Sequence, residues 1–514
     1  PILAAAVTVL CFAVRNMSAL VFVLVLAVAG LIPMALQGHS GGTEDHDAAT
    51  SAIFLHLVFA ALWLGGLLAL AIARPALGKE RLAIVLRRYS TVALVSFIVV
   101  AASGYVSAEI RVENLTNLLS PYGILVLVKV FALIVMGLFG AVYRNYAIGR
   151  LEASPRKERG WFWWIVTAEL AFMGLASGAA AALAATPTPV PEIVAADVPD
   201  SSPAAYLTGS ALPPPVSASN LFTLWSFDLI WVLICAFAIF FYLAGVWRLH
   251  KRGDSWPIHR TVFWVLGMLL LFYITNGGVN VYEGYLFSIH MLGHMTLGMM
   301  IPVLLVPGAP VTLAMRAIAK RTDGSRGARE WILLIVHSRY MAIIGHPIVA
   351  AAIFVVSLWI FYYTPLFRWA TTDHVGHEWM IIHFLGSGYL FVQALIGIDP
   401  SPHRPAYPLR LLLLLATMAF HAFFGLGLMT GTGLLLADWY GAMGWDTGLS
   451  ALEDQRIGGG IAWSVGEIPT IALAIAVAIM WRRSDGRASV RYDRKADRDG
   501  DAELDAYNEM LAKR

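Results

Sequence analysis

Two histidines lie four residues apart in an apolar stretch, "SIHMLGHMTLGMMIPVLLVPGAP", which covers residues 288–310. Residues at i and i+4 share a helix face, so a helix here places the imidazoles of His290 and His294 one turn apart on the same side. Met291 and Met295 form the adjacent stripe. Imidazole and thioether groups together suit Cu(I), whereas hard cations prefer carboxylates and carbonyls. The spacing alone therefore predicts a metal or cofactor site.

Further histidines fall inside other apolar segments: His383 and His421 follow the pair, and His56 lies in the first part of the chain. A lone buried histidine often does no more than hydrogen-bond a carbonyl. Ionisable groups in lipid are costly, however, and usually serve a function. A pair at i, i+4 with two more histidines on neighbouring helices favours metal or cofactor binding over a purely structural role.

Two kinds of site are excluded by the motifs. The segment "HMLGH" lacks the glutamate that a H-E-x-x-H zinc protease needs after its first histidine. The chain also has no G-x-x-x-x-G-K-[ST] loop, so ATP-driven pumping is not expected. We expect binding and transfer, with no covalent turnover, so the chain is not predicted to be an enzyme.

Two other functions fit the same residues. A haem could be held between helices by His294 with His383 or His421, which would make the chain a membrane electron-transfer protein. Alternatively, the chain could be a metal-free scaffold that binds respiratory subunits through its apolar surface.

The composition indicates an integral membrane protein. Of 514 residues, 59% are hydrophobic and only 13% are charged, compared with about 45–50% and about 25% in soluble domains. The net charge of +3 does not suggest nucleic acid as a partner, because the basic residues cluster between apolar runs. The two cysteines are far apart and form no C-x-x-C motif, so a thiolate metal site or a disulfide framework is not expected.

Apolar segments recur along the whole chain and predict an all-α polytopic membrane protein of about thirteen transmembrane helices in two bundles. We place them at 1–14, 17–37, 51–73, 89–108, 121–143, 161–185, 221–247, 260–276, 284–306, 345–363, 375–397, 409–434 and 459–481. The first run opens with Pro1 and not with Met, so we expect further sequence upstream. The predicted domains are residues 1–185, a linker rich in Pro, Ser and Ala at 186–220, residues 221–481, and a charged tail at 482–514.

The loop charges predict the orientation. Basic loops alternate with loops that carry at most one Lys or Arg, and basic loops stay in the cytoplasm. The basic loops are 74–88, 144–159, 248–260 and 316–329, and the others are 38–50, 109–120, 186–220 and 364–374. The tail is therefore expected in the cytoplasm, the linker outside, and most of the intramembrane histidines in the outer half of the bilayer.

Other polar groups also fall within apolar segments. Glu169 and Lys129 could pair within the first bundle or could line an ion path, and Glu467 lies in the last span. Asp454 and Gln455 are expected to cap or anchor the outer end of that span.

The second half of the chain resembles the seven-helix CtaG family of cytochrome c oxidase assembly factors. The motifs that carry the resemblance are "HMLGHMTLGMMIPVLLVPGAPVTLAMR", "HFLGSGYLFVQALIGIDPSP", "HAFFGLGLM" and "DQRIGGGIAWSVGEIP". They occur in family order over about 260 residues between 221 and 481.

The first half resembles the CopD copper-resistance domain. Its motifs are "HLVFAALWLGG", "RRYSTVALVSFIVVAASGYV", "PYGILVLVKVFALIVMGLFGAVYRNYAIGRL" and "TAELAFMGLASGAAAALAATPTP". Each is mainly apolar, so the resemblance depends on the four together. The chain is similar to a CopD–CtaG fusion.

The resemblance implies a bacterial plasma-membrane protein that binds or translocates copper at the outer face and supports assembly of the copper centres of cytochrome c oxidase. The implied ligands are His290, His294, His383 and His421 in the CtaG half and His56 in the CopD half, with copper as Cu(I). The implied partners are oxidase subunits or another copper chaperone. An unrelated assembly factor that shares the CtaG name uses cysteine ligands, which this chain lacks, so its mechanism does not apply.

Overall fold

The structure is a computed structural model that describes residues 2–36, 46–142, 158–190, 202–210, 212–401, 403–444 and 448–513. Every regular element in these ranges is a helix. Residues 144–157 of one basic turn and residues 191–201 of the linker lie outside the described ranges. The predicted all-α membrane fold is confirmed.

The chain forms two compact units. The first comprises Pro1–Leu212 with the short segment Phe227–Leu233, and the second comprises Pro213–Ser226 with Ile234–Arg514. The second unit includes the end of the predicted linker, because Tyr282 donates a hydrogen bond of 2.7 Å to the carbonyl of Pro214. The domain bounds given by the sequence stay predictions, since compact units need not coincide with domains.

The first unit contains four long helices with a shared apolar core. Its helices are α1 Ile2–Ala13, α2 Met17–Ala29, α3 Ile32–Ala35, α4 His46–Ala73, α5 Lys79–Val112, α6 Pro121–Val142, α7 Glu158–Ala184 and α8 Pro203–Thr208. Leu67, Leu86, Met136 and Met173 meet in the core of this unit, which draws one side chain or more from each long helix.

The second unit carries the histidine-rich segments. Its helices are α9 Ala218–Thr223, α10 Leu229–Lys251 (from Ile234 onward), α11 Ile258–Asn276, α12 Gly278–Glu283, α13 Phe287–Met295, α14 Ile301–Leu305, α15 Pro310–Ala317, α16 Ala328–Val336, α17 Arg339–Ile344, α18 Pro347–Tyr362, α19 Pro365–Thr372, α20 His374–Ile396, α21 Tyr407–Thr430, α22 Ala451–Asp499 and α23 Ala502–Ala512. The helix α22 has 49 residues, and its C-terminal part forms the first part of the charged tail.

Eleven helical stretches of the described chain are long and apolar enough to cross a membrane, and α18 with α19 makes a twelfth if this bent pair is one span. The one remaining predicted span, residues 1–14, corresponds to α1, which has 12 residues. At about 1.5 Å per residue it covers roughly 18 Å, which is less than the ~30 Å of bilayer hydrocarbon.

A sharp break separates α18 from α19, whose axes differ by 77°. Pro365 cannot continue the helix because it has no N–H to donate, and it disfavours helical backbone at the preceding residue. Thr364 instead caps α19, its side chain accepting a hydrogen bond from the Leu366 N–H. The break leaves Tyr362 as the last residue of α18, within the core of the unit.

The segment predicted as one span at 284–306 is composite. After α13 comes a π-helical turn, Thr296–Met300, then α14 and a 3-10 turn at Val306–Gly308. Pro302 and Pro307 explain the irregularity, because neither can donate the usual backbone hydrogen bond. π turns of this kind are frequent at functional sites.

The π turn is held by a close backbone crossing. A Cβ added at Gly388 of α20 would lie 1.9 Å from the carbonyl oxygen of Gly298, a distance that no side chain can occupy. Only glycine at position 388 lets α20 and the π turn approach so closely.

We therefore expect Gly388→Ala to destabilise the fold by about 1–3 kcal/mol or more, since an overpacked methyl group must move one backbone off the other. The measurement is the thermal unfolding midpoint of the detergent-purified protein. Gly386→Ala is the matched control, because a Cβ at Gly386 meets nothing within 4 Å. Equal effects of the two changes would contradict the close crossing.

Candidate metal centre

The helix α13 places His290 and His294 in the interior, with 4% and 2% of their surfaces exposed. Their ring centroids are 6.1 Å apart, as expected for residues one turn apart. The phenol of Tyr362, from the end of α18, lies between the rings. Its Oη is 3.0 Å from Nε2 of His290 and 2.7 Å from Nδ1 of His294. One hydroxyl thus bridges both imidazoles.

Met291 completes this group, because its Sδ lies 3.8 Å from the same Oη. We call His290, His294, Met291 and Tyr362 the Tyr362 cluster. Two imidazole nitrogens and one thioether sulfur surround a single phenol oxygen. The nitrogens are at most about 5.7 Å apart, the sum of their two distances to Oη.

The cluster satisfies its own hydrogen bonds. A phenol can donate to one imidazole and accept from the N–H of the other. Both nitrogens that face Tyr362 therefore have partners without any group carrying a charge. The candidate metal ligands, two imidazoles and one thioether, are neutral, and the thioether favours Cu(I) over hard cations.

Aromatic side chains enclose the cluster. Those that are almost fully buried are Phe287, Phe361, Phe367 and Phe424. The ring of His294 also lies against Phe384, with centroids 3.6 Å apart. This shell excludes water, so any electrostatic interaction within it acts at low dielectric.

The segment after α21 covers the start of α13. Trp439 donates a hydrogen bond of 2.9 Å to the carbonyl of Gly284, and Tyr440 donates one of 3.3 Å to the carbonyl of Glu283. An exposed ion pair between Arg368 of α19 and Asp438 holds the same segment from outside. The hydrogen bond from Arg368 lowers the pKa of Asp438, so this pair persists into mildly acidic solution.

His421 and Met295 form a separate contact. Nε2 of His421 on α21 lies 3.1 Å from Sδ of Met295. Met291 and Met295 are one turn apart on α13, yet their sulfurs reach different partners. Methionine has three flexible bonds, and this lets the two side chains diverge.

The structure does not bring His383 into the Tyr362 cluster. Its ring stacks on Trp379 at 5.0 Å, and its Nε2 is buried without a hydrogen-bond partner among the described residues. His56 belongs to the first unit, where its Nδ1 lies 3.0 Å from Oγ of Ser103. Ligand roles for these two residues stay predictions.

Sequence reasoning missed Tyr362 and a neighbouring pair. Nε2 of His377 lies 3.2 Å from Oε1 of Glu283, which is largely buried. The other carboxylate oxygen would be 3.1 Å from a Cβ at Gly293, so this pair lies beside α13. Tyr362 could have been suspected, because a buried tyrosine hydroxyl in an apolar helix needs a partner.

The remaining polar groups divide between confirmed and wrong predictions. Asp454 accepts a hydrogen bond from the Ser288 N–H at 3.2 Å, and Gln455 bonds the backbone of Gly433 and Leu435, so the predicted anchoring role is confirmed.

The predicted ion pair between Lys129 and Glu169 is not formed, and the alternative, an ion path lined by these residues, stays a prediction. Glu169 accepts a hydrogen bond from Trp63 at 3.3 Å and forms no ion pair with Lys129. An indole N–H stabilises the buried carboxyl group without a second charge.

Comparison with known families agrees with this architecture. Residues 240–484 match the family of cytochrome c oxidase caa3 assembly factors, Caa3_CtaG. Residues 83–183 match the family of copper resistance protein D, CopD. One chain thus matches both families, in the order that its sequence motifs predict. The Tyr362 cluster lies within residues 240–484, which we call the CtaG region.

Similar chains occur in mycobacteria. The uncharacterized protein Mb0105 of Mycobacterium bovis and the uncharacterized protein MT0111 of Mycobacterium tuberculosis are each 46% identical over 305 residues, which is 59% of this chain and 46% of theirs. The chain thus spans about half the length of the curated relatives that it matches. No solved structure matches it.

The bridging role of Tyr362 can be tested with Tyr362→Phe. We expect this change to destabilise the protein by about 1–3 kcal/mol, because it leaves two buried imidazole nitrogens without their shared partner. The measurement is again thermal unfolding in detergent.

Tyr363→Phe is the matched control for this test, since Tyr363 is the next residue and is 53% exposed. If both changes left the midpoint unchanged, the hydroxyl of Tyr362 would not be a structural link.

Proposed function

We propose that this chain binds copper as Cu(I) in its CtaG region and passes it to cytochrome c oxidase subunits or to another copper chaperone. His290, His294 and Met291 would hold the ion. The observation that carries the proposal is the convergence of their three donor atoms on Tyr362 Oη, at 3.0, 2.7 and 3.8 Å. Copper would be the cargo, and the chain would supply ligands that can be exchanged.

The charge of the site supports a monovalent ion. None of the residues of the Tyr362 cluster is acidic, and the aromatic shell around it is apolar. A divalent ion in such surroundings would retain its full charge at low dielectric, which is strongly unfavourable. Glu283, whose carboxylate lies beside α13, is already engaged by His377.

The loop charges support loading from the outer face. In the second unit, Arg248, Lys251 and Arg252 lie at the end of α10, and Arg316 lies in the last turn of α15. The cluster lies at the other end of the α13–α15 segment. Basic ends face the cytoplasm, so the cluster would be in the outer half of the plasma membrane and the tail in the cytoplasm.

The proposed step is ligand exchange with no covalent turnover. His377 beside Glu283 has 25% of its side chain exposed and lies at the outer end, where an arriving ion would meet it first. Tyr362 would return to its hydrogen bonds with both imidazoles when the ion leaves. His56 of the CopD unit stays a candidate ligand for a second step, such as translocation.

The packing favours an ion over haem. A macrocycle needs a cleft of several hundred Å³. The cavity beside His421 has a volume of about 40 Å³, and phenyl rings fill the space around His294.

The proposal is tested by anaerobic Cu(I) titration of the purified protein against a chromophoric Cu(I) chelator. We expect His290→Ala/His294→Ala to lose one bound copper per chain relative to wild type. His337→Ala is the control, because this histidine is exposed and bonds its own helix. Cells that carry the double variant should show reduced oxidase activity when copper is limiting.

Other outcomes point to the alternatives. A Soret band in the purified wild-type protein would favour the haem-binding function. A protein that takes up no Cu(I), with oxidase assembly intact in the double variant, would favour the metal-free scaffold.

A further inference from the structure

A cavity of about 40 Å³ lies between the π turn and the helices α18, α20, α21 and α22. Its polar and sulfur-bearing lining residues are Met299, Thr417, Met418, His421, Glu467 and Thr470. The volume is enough for an ion or a few waters and too small for an organic ligand of ordinary size. The occupant that fits is therefore a small inorganic species.

His421 and Met299 line this cavity, and Met295, which is outside the lining, contacts the same imidazole. His421 is 6% exposed, and its Nε2 contacts Sδ of Met295 at 3.1 Å. Gly466 of α22 lies on the other side of the ring. A Cβ there would be 3.1 Å from both Nδ1 of His421 and Sδ of Met299. These two atoms are thus at most about 6.2 Å apart, the sum of the two distances.

Glu467 marks the mouth of the cavity. It follows Gly466 on a membrane-spanning helix and is exposed, as is Trp463 one turn earlier. Among the described residues, Glu467 forms no hydrogen bond or ion pair. A charged carboxylate exposed within the span of a membrane helix is costly and usually serves a function.

We propose that a second Cu(I) site, with ligands other than those of the Tyr362 cluster, lies at the edge of this cavity, where His421, Met299 and Met295 are the ligands and Glu467 attracts the cation at the mouth. The choice of metal depends on the proposed function, whereas the ligands are independent of it. One imidazole and two thioethers form a neutral soft set that suits Cu(I). The carboxylate supplies the attraction that such a set lacks, and it acts strongly in a low-dielectric medium.

A purely structural role for His421 would not require these features. The contact with Met295 would be enough to pack the ring. Packing does not explain a cavity next to the ring or an exposed carboxylate at the mouth of that cavity. Gly466 is the residue that keeps the space beside the ring open, since a Cβ would lie 2.9 Å from Cε1 of His421.

The test is anaerobic Cu(I) titration of the full chain in detergent, with sulfur coordination measured by X-ray absorption. We expect two equivalents in wild type and one in His290→Ala/His294→Ala. In that background, Met299→Leu, Gly466→Ala and Glu467→Gln should each weaken the remaining site roughly tenfold or more, as loss of ligands or of their supports does. Met300→Leu is the control, because it removes a sulfur from the same π turn outside the cavity lining.

The outcomes separate the two proposals. One equivalent that survives Met299→Leu but is lost in His290→Ala/His294→Ala would overturn the second site and leave the first. One equivalent that survives the histidine double variant but is lost in Gly466→Ala would support the second site alone. No binding by wild type would overturn both, and an equal loss in Met300→Leu would overturn the assignment of Met299.

Discussion

The hydroxyl of Tyr362 is the contact on which the interior of the CtaG region depends. Three donor groups of α13 face one oxygen atom, and that oxygen comes from a different helix, α18. Without this phenol, two imidazole nitrogens would be buried among aromatic rings without their shared partner, at a total cost of about 1–3 kcal/mol. The same hydroxyl therefore satisfies the histidines and fixes the position of α13 relative to α18.

The backbone irregularities caused by the prolines position the groups of this arrangement. The break before Pro365 ends α18 at Tyr362. The phenol at this helix end contacts both His290 and His294. The π turn after Met295 is pressed against α20 at the Gly298–Gly388 crossing. Each irregularity lies next to a candidate ligand, which agrees with the general observation that strained or broken helices cluster at functional sites.

Hydropathy predicted the class, the helix content and most spans, because segments of about 20 apolar residues admit few alternatives in a membrane. The i, i+4 spacing correctly placed His290 and His294 on one face. What single-sequence reasoning could not supply was contact between helices. It could not tell that Tyr362 joins the pair, that Met295 turns toward His421, or that Glu169 bonds Trp63 instead of Lys129. Such pairings depend on helix order and rotation, which composition and periodicity leave open.

The proposed ligands agree with a site that must release its ion. Neither of the chain's two cysteines, Cys11 and Cys235, is among them. A thiolate would bind copper tightly and would carry a negative charge into a dry interior when the metal is absent, which is costly. Histidine and methionine remain neutral in that state. Tyr362 gives both imidazoles a hydrogen-bond partner, so the metal-free state is stable too. In the proposed function, copper would compete against this satisfied network, and the competition would lower its net affinity to a range from which transfer is possible.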